Sequence, residues 1–350
     1  MGSVKDLKIF KKPRDKKEGV GQFAFSDRYS VFDWGEMPDH IENKGAALCL
    51  MGAYCMEKAE KEGIVTHYLG LVTKKGKIVR TNEVKEPLST VQVKLVKVIR
   101  PPFNKGKYDY SAFSENLVNF LVPLEIIYRN GLPVGSSVFK RLEKGDLTIK
   151  DLGLDHYPKA GERFIQPFFD VSTKLEERDR YISWQEAQKI SGLNTKEMIK
   201  MKNVLLTADK VISQVAKKAG LVNEDGKIEL AYDSKRELML VDVLGTLDEC
   251  RFTYQGQSVS KEVARQFYKK TAWYKDLEEA EKKAAEKGVE NWKGLCQSKP
   301  PKLDPDLKKL ISQFYMSTAN AFLEKRIFDS PDLKKVLAKY VEYLERNKSN

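Results

Sequence analysis

Apolar and polar positions alternate most clearly in residues 225–251, DGKIELAYDSKRELMLVDVLGTLDECR. Period-two patterning over 227–232 and over 237–243, on either side of Asp233-Ser234-Lys235-Arg236, predicts a β-hairpin with those four residues as its turn. That register sets Glu229 opposite Leu240 and Lys227 opposite Asp242. Successive side chains point to opposite faces, so Ile228, Leu230, Met239 and Val241 are expected to share a buried face. Lys227, Glu229 and Asp242 then share the other, with Ala231, Leu238 and Leu240. Two carboxylates and a lysine over a partly apolar floor suit Mg²⁺ carrying nucleotide phosphates, because Mg²⁺ takes one or two carboxylates and leaves its other positions to phosphate and water. An ordinary hairpin whose charged face meets solvent accounts for the same alternation.

The same patterning organises the rest of the chain. Strands are expected at 5–10 and 22–26, around the basic, glycine-ended turn KKPRDKKEGVG at 11–21. A helix follows over 46–62, closed by Gly63, and then strands at 67–72, 77–81 and 91–98. Residues 101–106 read as a linker. The run FLVPLEIIYRN at 120–130 is a continuous apolar strand that carries Glu125 and Arg129, and a buried strand holds a charge only beside a partner or ligand. LPVGSSVFKRL at 132–142 brings together a glycine, two hydroxyls and two cations, a set that holds phosphate or opens a basic helix. Helices are expected from a cap near Ser183, over 196–219 and over 260–287. After a break at 300–304, two amphipathic helices follow at 306–326 and 332–346, which packing or dimerisation explains without chemistry.

Composition narrows the function classes. The chain has 350 residues, 41% hydrophobic and 32% charged, as in a soluble globular protein with room for two domains. No apolar run approaches the ~20 residues of a membrane span. There is no secretory h-region, and Asp6 stands where an N-myristoylation motif needs Ser or Thr. Cys49, Cys55, Cys250 and Cys296 form no C-x-x-C pair, and with only His40, His67 and His156 no zinc spacing arises. Reduced thiols in a cytoplasm are the simplest expectation.

The net charge of +12 suits either nucleic acid or polyanionic small substrates. It concentrates at Lys5, Lys8, Lys11, Lys12, Arg14, Lys16 and Lys17. The tip of such a hairpin can fold over a triphosphate, or it is a solvated basic terminus. The pattern is not a Walker loop, and no RNA-binding module is recognisable, so nucleic acid is disfavoured as a partner.

Taken in order, the basic glycine hairpin, SDRYSVFDWG, a Lys-Gly before a helix, PLEIIYRNGLPVGSSVFKR, DGKIE and DECR resemble the SAICAR synthetase family. The likeness runs from about Gln22 to Arg251. It implies an ATP- and Mg²⁺-dependent ligase that joins CAIR, 5-amino-1-(5-phosphoribosyl)imidazole-4-carboxylate, to L-aspartate through an acyl phosphate. By that resemblance, Arg129 and Ser136 would contact CAIR and Lys140 or Arg141 its phosphate. Lys227 would neutralise the activated carboxylate, Glu229 and Asp242 would bind magnesium, and Arg251 would meet substrate. Asp179 would help place the amino acid, and Asp33 and Lys44 would add substrate contacts. Lys11 or Lys12 and the Gly19–Gly21 turn would cover the ATP phosphates. A homodimer is implied as well.

The chain departs from the family pattern in several places. Only Asp242 remains of an acidic pair, Ser-Pro becomes Thr246-Leu247, and Arg180 follows Asp179 in place of proline. Alternatives are a related ligase with a different amine acceptor, or a non-catalytic nucleotide- or RNA-binding protein. The expected fold is α+β in two lobes with an ATP-grasp- or kinase-like nucleotide cleft. The expected division is a β-rich lobe at 1–105, a mixed substrate and metal lobe at 106–270, and a helical extension at 271–350.

Overall fold

A computed structural model describes residues 4–104, 106–288 and 291–347. Five strands form the first sheet: β1 (Lys5–Lys11), β2 (Gly19–Phe25), β3 (Tyr68–Val72), β4 (Ile78–Val79) and β5 (Thr90–Leu95), in the order β1-β2-β5-β3-β4. Val91, Val93 and Leu95 alternate inward along β5 and pack with the apolar side of α1 (Lys44–Lys61), including Leu48, Met51 and Cys55. A short antiparallel strand pair, β6 (Phe103–Asn104) and β7 (Lys107–Tyr108), leads to the second sheet.

That sheet contains β8 (Phe120–Gly131), β9 (Arg163–Thr173), β10 (Val222–Tyr232), β11 (Leu238–Val241), β12 (Cys250–Tyr254) and β13 (Gln257–Ser258). Its order is β13-β12-β10-β8-β9, with β11 pairing β10. The helices are α2 (Ser137–Lys144), α3 (Trp184–Ser191), α4 (Thr195–Lys218), α5 (Glu262–Tyr268), α6 (Ala272–Lys287), α7 (Pro305–Leu323) and α8 (Leu333–Arg346). Ser183 caps α3 as the sequence implies, accepting from the Glu186 amide. The 24-residue α4 crosses β8 and β10, and α7 lies along α1 with α8 against it. One apolar core runs through both sheets and the terminal helices. Among the described residues, no helix is long and apolar enough to cross a membrane.

The two sheets are joined by backbone. The His67 amide donates to the Leu240 carbonyl at 3.0 Å, and the Leu240 amide to Val65 at 2.9 Å. The Lys97 amide donates to Asn119 at 3.0 Å, and the Leu121 amide to Lys97 at 2.9 Å.

The central hairpin forms one residue out of the expected register. Glu229 faces Val241 instead of Leu240, Leu230 faces Leu240, and Tyr232 faces Leu238. The loop is five residues, closed by the Asp233 amide on the Glu237 carbonyl at 3.0 Å, with Arg236 left-handed at φ 59°. Such longer loops with one left-handed residue are a standard hairpin solution. Glu197 pairs with Arg236 at 2.8 Å, and the guanidinium lies 5.0 Å from the Tyr232 ring, which holds that geometry. A one-residue slip turns over every side chain of β11. Leu238 and Leu240 therefore join Ile228 and Leu230 in the main core. Met239 and Val241 lie instead with Ala231, against Val96 and Leu121, on the face that carries Lys227 and Glu229. Asp242 is not opposite Lys227. It follows the end of β11 at φ 65°, and that turn brings it to Glu229.

Candidate active site

The site is built on the ladder between β8 and β10. Arg129 faces Asp225, Ile127 faces Lys227, and Glu125 faces Glu229. Residues at i, i+2 and i+4 share a strand face, so Asp225, Lys227 and Glu229 project together with Arg129 and Glu125. Gly226 lies between them on the other side. A Cβ there would stand 2.4 Å from the Tyr128 hydroxyl and 2.7 Å from Cys250 Sγ, so only glycine lets β10 sit between β8 and β12.

One rung is a balanced ion pair. The buried Arg129 guanidinium meets Asp170 at 3.0 Å and Asp225 at 3.6 Å, and donates to Ser137 Oγ at 3.3 Å and the Tyr181 hydroxyl at 3.2 Å. Asp170 also holds Arg141, which stacks 4.1 Å over the Tyr181 ring. Arg251 Nε donates to Asp225 Oδ1 at 3.0 Å. Three arginines thus share two aspartates. Lys261 and Arg265, from the start of α5, line the same cleft and add positive charge.

The other rung sets two glutamates face to face, which is repulsive unless a cation intervenes. Lys174, immediately after β9, supplies one, reaching Glu125 Oε1 at 2.8 Å and Glu229 Oε1 at 2.6 Å. Lys227 meets Glu125 at 2.8 Å and Glu249 at 3.7 Å. Asp242 adds a further carboxylate beside Glu229 and is paired by Lys5. Burial, and then the Asp242 charge, push the Glu229 carboxyl up to about 7 in spite of Lys174. Asp179 stands in the cleft mouth, where desolvation by the surrounding walls and the charge of Glu125 push it up to about 6. Burial opposes the charge on Lys227, yet Glu249 and Glu125 outweigh it and hold the ammonium above its ordinary range.

The surplus of hard oxygen donors at Glu229 and Asp242 fits a divalent cation. Among the described residues no group of three or more His, Cys, Asp and Glu side chains gathers into an all-protein metal cage. Two carboxylates with room for phosphate and water are what Mg²⁺ requires.

The structure gathers Asp33, Arg129, Gly135, Asp179, Lys227 and Arg251 around one open cleft of about 360 Å³. Other expected contacts lie elsewhere. Ser136 is buried and caps α2 by accepting from the Val138 amide, so its neighbour Ser137 takes the cleft position. Lys140 is exposed on α2 away from the cleft lining, and Arg141 stands behind Asp170. Lys44 is almost fully buried on Asp248 at 2.7 Å. Lys11 and Lys12 are exposed on the β1–β2 hairpin. Gly19 lets that hairpin close, since a Cβ would lie 2.3 Å from the Lys11 carbonyl, and Gly21 pairs with Ile9 further along.

Sequence reasoning gave no role to Lys174, Lys261, Arg265 or Lys5. For Lys174 a signal existed, since a glutamate in an apolar strand calls for a cation nearby. For Lys261 and Arg265 it did not, because in a highly charged helix over 260–287 nothing sets two cations apart from the rest.

The chain matches the family model for SAICAR synthetase over residues 2–287. It is 48% identical over 99% of its length to a protein of Archaeoglobus fulgidus, provisionally named phosphoribosylaminoimidazole-succinocarboxamide synthase, all of which is covered. It is 32% identical to the phosphoribosylaminoimidazole-succinocarboxamide synthase of Thermoplasma acidophilum, over 84% of this chain and 89% of that one. Among solved structures, the Saccharomyces cerevisiae SAICAR synthase complexed with SAICAR superposes with a TM-score of 0.61 at 20% identity, covering 93% of this chain and 94% of that one. A SAICAR synthetase in complex with ADP gives 0.55 at 20% identity, over 87% and 99%. The structural likenesses show the shared α+β fold, and the sequence matches show descent: this chain belongs to the SAICAR synthetase family of carbon–nitrogen ligases.

Proposed function

We propose that the chain joins CAIR to L-aspartate with ATP, giving SAICAR through an acyl phosphate. The observation that carries this is the two-rung ladder. Four residues of strand separate the arginine rung from the glutamate rung by about 13 Å, with Lys227 midway. The ribotide phosphate is held at the cationic end by Arg251, Lys261 and Arg265, which also face the cleft. The carboxylate to be activated then lies at Lys227.

The triphosphate lies between the glutamate rung and the β1–β2 hairpin. Lys5 on β1 reaches Asp242, which sets that hairpin over the acid pair. Val96, Leu121, Met239 and Val241 supply an apolar floor beside it for a base. Mg²⁺ held by Glu229 and Asp242 would neutralise charge on the transferring phosphoryl group. The substrate carboxylate attacks the γ-phosphorus and ADP leaves. The aspartate amine then attacks the acyl carbon, the carbon–oxygen bond to phosphate breaks, and the amine loses a proton. Lys227 stabilises the negative charge that builds on the acyl oxygen. Asp179, raised to about 6, stands at the mouth where the amine must enter.

A second reading changes the amine. The pocket adjoining Asp179 carries Asp33, Glu177, Asp179 and Glu281 against Arg178 and Lys293, a net negative lining that disfavours an amino acid with two carboxylates and suits a less anionic amine. ADP release measured with CAIR, ATP and Mg²⁺, with and without L-aspartate, separates the two. Turnover that needs aspartate and is lost in Glu229→Gln supports SAICAR formation, whereas turnover indifferent to aspartate points to another amine. No turnover from folded protein would sink the ligase reading. The buried, unpaired Cys49, Cys55 and Cys250 support a cytoplasmic setting. The homodimer implied by resemblance is checked by sedimentation.

A further inference from the structure

The cleft wall at Asp248 is held by a helix outside the 2–287 span of the family model. Asp248 lines the cleft while both its oxygens are engaged behind it. Oδ2 accepts from Lys44 Nζ at 2.7 Å, and Oδ1 accepts from the Tyr315 hydroxyl on α7 at 2.5 Å. Lys44 and Tyr315 are 1% and 2% exposed, and the ammonium sits 5.3 Å from the Tyr315 ring. One turn earlier on α7, Ser312 Oγ donates to the Glu42 carbonyl at 2.7 Å, which pins the helix beside the start of α1. Two buried donors thus fix the carboxylate at the cleft wall, where its side chain keeps 10% of its exposure.

We propose that Tyr315 is a positioning residue of the active site, orienting Asp248 toward the bound ribotide, so that the C-terminal helices form part of the catalytic structure. This rests on the ligase reading above. The charged and titratable groups facing Asp248 are Lys44 from α1, Tyr315 from α7, Lys261 and Arg265 at α5, and the neighbouring Glu249. Burial opposes the charge on Asp248, and Lys44, Lys261 and the two hydrogen bonds outweigh it. Removing the phenol oxygen alone should therefore raise the pH at which Asp248 titrates.

The test uses the full chain. Tyr315→Phe is expected to lower kcat/KM for CAIR by about tenfold, the effect of losing one hydrogen bond to a charged group. The acid limb of kcat/KM should move to higher pH, while Ser312→Ala, which loosens α7 without touching Asp248, leaves that limb in place. In an Asp248→Asn background Tyr315→Phe should cost nothing further. Carbon-13 NMR titration of Asp248 in the ligand-free enzyme, assigned with Asp248→Asn, should show the same upward shift. An unchanged titration, or a shifted titration with unchanged kcat/KM and acid limb, overturns the proposal. A wild type that does not turn over CAIR and aspartate sinks the ligase reading instead, and the NMR titration then decides alone whether Tyr315 holds Asp248.

Discussion

Two rungs of one ladder carry opposite electrostatics. At Arg129 and Asp225 the strands pair opposite charges, and Asp170 and Arg251 extend the pairing on either side. Four residues along, Glu125 and Glu229 pair like charges, and Lys174, arriving from β9 to bridge both, together with Lys227 on Glu125 makes the arrangement tolerable. The first rung is complete as folded. The second leaves Glu229 pushed up by burial and the Asp242 charge, and on the proposed reading a ligand cation would complete it. A fold that needed only stability would repeat the first rung, which makes the second the candidate site for chemistry.

Substitutions separate the rungs. The largest effect is expected at Glu229→Gln. Turnover should fall by about 10²–10³-fold, the range for losing one preorganised electrostatic group. Thermal stability should hold or rise, because a repulsive charge has gone. A marked loss of stability together with activity would show that the glutamate rung is structural.

Arg129→Ala reverses the pattern, since it strands Asp170 and Asp225 in the interior. A destabilisation of about 3–5 kcal/mol is expected from urea unfolding. A change under about 1 kcal/mol would erase the contrast between the rungs.

The pH dependence sharpens it. Glu229 titrates near 7 when folded and near its ordinary value when unfolded. Its contribution to stability is therefore present at low pH and lost as pH rises through about 7. A cation bound there offsets that loss. Mg²⁺ should raise Tm by roughly 2–4 °C more at pH 8 than at pH 5.5, and equal shifts would place the metal elsewhere.

The smallest effect is expected at Lys12→Ala. An exposed cation contributes under about 1 kcal/mol, so KM for ATP should rise by about fivefold at most. A much larger rise would mean that the hairpin tip closes tightly on the phosphates.

Much of this was legible in the sequence. The charged residues inside 120–130 announced that an apolar strand had partners, and the alternation along 227–232 put Lys227 and Glu229 on one face. What escaped was set by geometry between elements. DSKRE can close a hairpin with four residues or five, and Arg236 settles the choice through Glu197 and Tyr232, neither of them inside that loop. Gly-Ser-Ser offers two hydroxyls, and the start of α2 decides which one caps and which one faces the cleft. Tyr315 reads as one more apolar position of an amphipathic helix until α7 is laid beside Lys44 and Asp248.

The backbone bridges between the sheets have a mechanical consequence. Bonds at Leu240 and at Lys97 tie the halves at two separate points, so they cannot swing apart as a jaw without breaking paired amides. Outside those ties lies the edge strand β1, which is largely exposed, pairs on one side with β2 and carries the Lys5 that meets Asp242. Under the proposed function nucleotide would enter and leave past this hairpin over a rigid floor, and the contacts that hold the hairpin, Lys5 on Asp242 and Asn119 on the Lys17 carbonyl among them, would set how quickly spent ADP departs.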